Sequence, residues 1–198
     1  MRIATREAIE TIALAVLLTL LFQASIQLFE VQGSSMDPRL ATGDRVLVNK
    51  ALYMEMDANR VARFLPWVDT NPGQTWHPFG EPESGDVIVF RFPKNETQSF
   101  VKRIVGMPGD TVDVQRGTVF VNGEPLDEPY VVHDSKETRP PVKIGRDEYY
   151  VMGDNRTQSN DSRNWGTVPA DNIIGRVWVG YWPLDRISAL MSRPPSLW

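Results

Sequence analysis

The sequence predicts an all-β, antiparallel, barrel- or sandwich-like domain behind one apolar N-terminal helix. Three observations predict it. One uncharged, largely apolar stretch occupies residues 11–29. Beyond residue 30 the apolar residues come in short runs with strand spacing. Those runs are separated by Gly, Pro, Asn and Asp. The chain has 198 residues, 41% of them apolar and 23% charged, which suits one folded domain with an appendage.

Residues 11–29 read TIALAVLLTLLFQASIQLF. As a helix at about 1.5 Å per residue they extend roughly 28 Å, near the hydrocarbon thickness of a bilayer. We read residues 1–30 as a single transmembrane anchor. A cleaved secretory leader and a buried core helix are the alternatives, since Arg2 and Arg6 precede the run and Ala24 and Ser25 are small. Gln23, Ser25 and Gln27 make the second half the less apolar. Arg2 and Arg6 favour an inside N terminus, against Arg39 and Arg45 beyond the other end.

Residues 31–198 then read as the β-rich domain. Val46, Leu47 and Val48 follow a Gly-Asp turn. Residues 86–92 read DVIVFRF and 100–105 read FVKRIV. Residues 111–121, TVDVQRGTVFV, read as a hairpin turning at Arg116-Gly117. Residues 149–152 and 173–182 supply two further strands. Residues 56–85 interrupt the series with a surface excursion rich in Pro, Gly, Trp and Asn, where Trp67 and Trp76 either touch a membrane surface or pack the loop. The tail ends SRPPSLW and carries no chemistry of its own.

Composition narrows the function. A net charge of −4 argues against nucleic acid as a partner, because phosphate binding needs a basic footprint. The absence of cysteine excludes disulfides, thiol nucleophiles and thiolate metal sites. His77 and His133 lie far apart in polar loops, without metal-ligand spacing, and read as exposed loop histidines rather than members of a Ser-His-Asp triad. No metal site or cofactor is expected.

Four segments remain: GSSMDPRL (33–40), GDRVLVNK (43–50), VKRIVGMPGD (101–110) and GDNRTQSNDSR (153–163). Each alone reads as a turn or a solvated edge. In this order, behind one apolar segment, they resemble the type I signal peptidases, and the resemblance runs from the apolar segment to about residue 182. It implies that Ser35, directly before Met-x-Pro, is the nucleophile and that Lys102 is the general base. It implies that Ser159 hydrogen-bonds the lysine, that Asp161 and Arg163 support the site, and that Val31, Met36, Leu40, Phe100 and Val101 form shallow substrate pockets. It further implies an enzyme of the bacterial cell membrane, single-pass, with its catalytic domain outside the cytoplasm. Such enzymes cut secretory precursors after small residues of the Ala-x-Ala type, so the implied partners are precursors and the lipid bilayer. Some members add an oxyanion-binding hydroxyl two residues before the nucleophile; here that position is Gly33, a departure that leaves the backbone, with the Ser35 N–H, or another side chain to supply the donor. Arg39, where many members have threonine, is a second departure, and nothing in the sequence explains it.

The residues support the same chemistry independently. A serine hydroxyl needs a base, and with no cysteine and no suitable histidine the best base left is lysine. A free lysine titrates at about 10.4, so it has to be lowered by roughly two to three units to work near neutrality. Burial does this. On a strand, Phe100, Lys102 and Ile104 share one face, which gives Lys102 apolar neighbours. Arg103 stays protonated and cannot serve. Two rivals stand beside this reading: a self-cleaving Ser-Lys repressor of the LexA type, for which the sequence lacks a DNA-binding helix-turn-helix, and a membrane-tethered β module that binds a partner without catalysis.

Overall fold

The computed structural model describes residues 2–53, 56–57, 75–76, 80–132, 135–184 and 188–189. Helix α1 (Arg2–Ser25) leads directly into strand β1 (Ile26–Glu30), followed by β2 (Arg45–Asn49), β3 (Met56–Asp57) and β4 (Thr75–Trp76). Then come β5 (Val87–Phe92), β6 (Asn95–Gly106), β7 (Thr111–Gln115), β8 (Thr118–Val121), β9 (Glu124–Pro125), β10 (Arg139–Lys143) and β11 (Glu148–Met152). A single helical turn (Ser162–Trp165), β12 (Val168–Pro169), β13 (Ile173–Trp182) and β14 (Ser188–Ala189) complete the chain. His77, His133, Trp67, the side chain of Trp76 and the C-terminal tail lie outside the described residues.

The architecture is the antiparallel β type that the sequence predicts. The main sheet runs β1-β2-β13-β5-β6-β11-β12, with β14 beside β13; a second sheet runs β10-β7-β8-β9. In the excursion, β3 and β4 form a small ladder of their own. Strand β5 explains why its sequence is continuously apolar. Val87 and Val89 enter one core cluster with Val31, Met36, Leu40, Val46, Val48 and Val177. Ile88 and Phe90 enter another with Ile104, Tyr149, Val151 and Val168. A strand covered on both faces needs no polar alternation. A third cluster, built on Val112, Val114, Val119 and Ile144, joins the second sheet to the ends of β6 and β11.

The hairpin turns where its sequence says. Gln115 pairs with Thr118, and Arg116 and Gly117 both take positive φ, the geometry of a two-residue turn that matches strand twist. Strand β10 escapes a sequence reading because Pro140 and Pro141 remove two backbone donors. It survives as the edge of its sheet, with a register shift between Arg139 and Val142.

The expected helix over 11–29 needs correction. The helix stops at Ser25, and Ile26–Glu30 pair residue for residue with β2, from Ile26 opposite Asn49 to Glu30 opposite Arg45. The polar residues of this half and the open edge of β2 make strand pairing the better use of the segment. Segment 1–30 thus gives its last five residues to the sheet. Among the described residues no helix is long and apolar enough to cross a membrane.

Strands β13 and β2 approach so closely at Gly175 that a Cβ there would lie 2.3 Å from the Asn49 carbonyl oxygen, a backbone atom that cannot swing aside. Gly175→Ala is therefore expected to lower stability by about 1–3 kcal/mol, read as a fall in denaturant midpoint at unchanged m. An unaltered midpoint would show that the two strands can separate without cost.

Candidate active site

Ser35 sits on the loop between β1 and β2, and Lys102 on β6, 67 positions later. The structure brings them together: Lys102 Nζ lies 2.7 Å from Ser35 Oγ and 2.9 Å from the Val101 carbonyl. Lys102 is only 5% exposed. Ile88 faces it across the β5–β6 ladder, and the Phe100 ring lies on the same side of the strand, 5.6 Å from Nζ. Phe100 is itself held by Phe90 and Phe92.

Burial lowers the Lys102 pKa from 10.5 to about 8, against the pull of the Asp161 and Asp154 carboxylates, which favour the ammonium. Burial outweighs those carboxylates, the Arg163 guanidinium acts in the same direction as burial, and each carboxylate is itself engaged by an arginine. Asp154 receives Arg103 Nε at 2.8 Å and Nη2 at 2.6 Å, both side chains fully enclosed. Asp161 receives Arg163 Nε and Nη2, each at 2.8 Å. Burial alone would push the Asp161 carboxyl up. The Arg163 guanidinium, with the Ser159 hydroxyl and the Gly153 N–H, holds it below the usual range.

Asp161 organises the last segment. It caps the turn Ser162–Trp165 by accepting from Arg163 N–H, and it accepts from Gly153 N–H at 3.0 Å. Arg156 Nε donates to the Gly153 carbonyl, and Arg163 Nη2 to the Arg156 carbonyl. The segment 153–163 is thereby folded onto the Ser35 loop, where Asn155 N–H donates to the Ser35 carbonyl at 3.0 Å. Gly153 permits this contact: a Cβ there would lie 2.5 Å from the Ser35 carbonyl oxygen and 2.3 Å from Ser159 Oγ.

Three expected roles change. Ser159 Oγ is buried against Gly153 without a hydrogen bond of ordinary geometry, and Lys102 Nζ bonds Ser35 and Val101 instead. Met36 and Leu40 do not reach the cleft. They pair with each other across the Ser35 loop and are 1% exposed in the core beneath it, because the loop turns back on itself there. Val31, Phe100 and Val101 do line the cleft, a space of about 130 Å³ that also holds Ser35 and Lys102. Sequence reasoning missed Phe29, Glu30, Gln32, Val46, Val89 and Ser99 on its walls. The apolar runs of β2 and β5 carried a signal for Val46 and Val89, since alternate side chains of a strand share a face. Phe29 and Glu30 were hidden in the expected anchor.

Two outcomes follow from the buried charges. Below pH 8 both the folded and the unfolded chain hold the Lys102 proton, and the folded state bears the full burial cost, about 3 kcal/mol for a shift from 10.5 to about 8. Between these values the unfolded chain binds more protons, so stability rises with pH; above 10.5 the difference is gone. Lys102→Met should therefore melt higher than the parent at pH 6, with the advantage shrinking toward pH 10.5. A constant offset across that range would refute the burial argument. Asp161→Asn should destabilise by about 1–3 kcal/mol, since it removes the fully buried partner of Arg163 and leaves that guanidinium only the part-exposed Glu137 carboxylate. Lost activity at an unchanged melting temperature would contradict this.

A family description, signal peptidase, peptidase S26, matches residues 5–182. The chain is 35% identical to a signal peptidase I of Leptolyngbya laminosa, over 96% of this chain and 85% of that protein. It is 36% identical to a probable signal peptidase I-2 of Synechocystis, over 81% of this chain and 65% of that protein. It is 33% identical to signal peptidase I P of Bacillus subtilis subsp. natto, over 88% and 89% respectively. With a match that takes in both the Ser35 loop and the Lys102 strand, the chain belongs to the signal peptidase family, peptidase S26, and is a serine endopeptidase.

Proposed function

We propose that this protein removes N-terminal signal peptides from exported precursors, with Ser35 as nucleophile and Lys102 as general base, while α1 holds it at a lipid bilayer. The observation that carries the reading is a buried amine 2.7 Å from a serine hydroxyl. In its neutral form Lys102 accepts the Ser35 proton as Oγ attacks the carbonyl before the scissile bond. The resulting ammonium then gives that proton to the departing amine. The oxyanion is received by the Ser35 backbone N–H, the donor left by a glycine at position 33. Water next attacks the acyl-enzyme, with Lys102 again the base.

The cleft explains the choice of substrate. Its walls are apolar at Phe29, Val31, Val46, Val89, Phe100 and Val101, and it is small. Such a space admits a methyl group and excludes larger side chains sterically, which suits Ala-x-Ala. For the tether, α1 exposes Ile9, Ile12, Leu14, Val16, Leu17, Leu18, Leu20, Leu21 and Phe22, so apolar side chains surround it on every side. The Thr19 and Ser25 hydroxyls donate back to the Ala15 and Leu21 carbonyls, which leaves few polar groups for lipid to meet. The apolar stretch from residue 11 to 25 then acts as the tether to the bilayer, without being long and apolar enough to cross it, and the sheet from Ile26 onward as the catalytic domain.

The test is cleavage of a precursor bearing Ala-x-Ala, in detergent, with Ser35→Ala and Lys102→Arg beside the parent. Both variants should fold and lose at least about a thousandfold in kcat. The parent kcat/KM should rise with pH and reach half its plateau at about 8, where Lys102 loses its proton. Retained activity in Lys102→Arg would rule out the lysine base. A precursor left whole by the parent, where a control peptidase cuts it, would favour a binding module.

A further inference from the structure

The cleft holds a charge that this chemistry does not use. Among the described residues that line it, Glu30 is the one acidic side chain. Once Lys102 is in its working, neutral form, the Glu30 carboxylate is the one formal charge on the cleft wall. Glu30 is the last residue of β1, directly opposite Arg45 on β2. The two charged groups are 3.8 Å apart and both half-exposed, and Arg45 does not line the cleft. A contact so long and so solvated binds the carboxylate weakly, and leaves it available to a substrate.

We propose that Glu30 is a specificity-determining residue that favours precursors with a basic side chain close before the scissile bond and disfavours those with an acidic one. The inference rests on the reading of this cleft as the precursor site. In an extended peptide, successive side chains alternate. If the first and third residues before the bond enter the apolar pockets, the second and fourth point outward toward the rim. Glu30, half in the cleft and half in water, is placed to meet one of them. Attraction at such a solvated position gives a few-fold preference rather than an absolute requirement.

The experiment compares detergent-solubilised parent, Glu30→Gln and Arg45→Gln on three peptide series. Each carries small residues at the first and third positions, with Lys, Gln or Glu at the second or the fourth. For the parent, kcat/KM for Lys over Glu should be roughly two- to fivefold at one of these positions, and should shrink as salt is raised. The ratio should fall to about one in Glu30→Gln. In Arg45→Gln, which frees the carboxylate from its neighbour, it should grow. A parent ratio of one at both positions, or a ratio that Glu30→Gln leaves intact, overturns the inference while cleavage of the Gln peptides still upholds the peptidase reading. If the parent cuts none of the peptides, the peptidase reading fails and this inference falls with it.

Discussion

An amine kept out of water beside a serine hydroxyl is the constraint on which the rest of this structure depends. Lys102 gives up its solvation for two hydrogen bonds, to Ser35 and to the carbonyl of Val101. That is a poor exchange for an ammonium and a tolerable one for a neutral amine, which is why burial pulls its pKa to about 8. The neighbouring elements supply apolar cover or pair off charges that favour the proton. Ile88 and Phe100 give the cover. The ion pairs Arg103–Asp154 and Arg163–Asp161 neutralise two carboxylates that would otherwise stabilise the ammonium strongly.

Those ion pairs explain an unusual concentration of buried charge. Buried pairs add little to stability on balance, since desolvation offsets most of the attraction. Here they do geometric work as well. Asp161 accepts from the Gly153 N–H and Arg156 donates to the Gly153 carbonyl, and Asn155 N–H then reaches the Ser35 carbonyl. Ser35 is therefore fixed from its backbone side by the segment 153–163 and from its hydroxyl side by β6. Because Ser35 contributes both Oγ and N–H to the proposed reaction, holding its backbone places the oxyanion donor in the same step.

Much of this was legible in the sequence, for reasons that particular residues make clear. The β5 run VIVFRF and the β6 run FVKRIV could be read because strands buried on one or both faces write their burial into consecutive residues. The nearness of Ser35 to Lys102 could be read only through the motif order, since no local rule links residues 67 apart. What escaped had non-local causes. Ile26–Glu30 looks like the end of an apolar helix until β2 is there to pair with it. Met36 and Leu40 look like candidates for a pocket wall until the loop is seen to fold over them. Ser159 was expected to touch Lys102, yet its hydroxyl is turned against Gly153 and the Asp161 carboxylate, contacts set by the fold of segment 153–163.

The junction between α1 and β1 has a functional reading of its own. The helix ends at Ser25, and Phe29, Glu30 and Val31 already line the cleft. Five residues of extended chain cover about 17 Å, so the site lies within that reach of the helix end. Pairing with β2 makes the connection a fixed strut rather than a flexible linker. On the proposed tether, the scissile bond of a precursor must therefore present itself at a set height above the bilayer. A signal peptide whose own apolar segment is embedded in the same bilayer meets that condition through its length alone. On these proposals selection has separate parts: height, set by α1 and β1, side-chain size, set by the apolar wall, and the charge preference proposed for Glu30. An enzyme built in this way can accept precursors of widely different sequence and still cut each at one place.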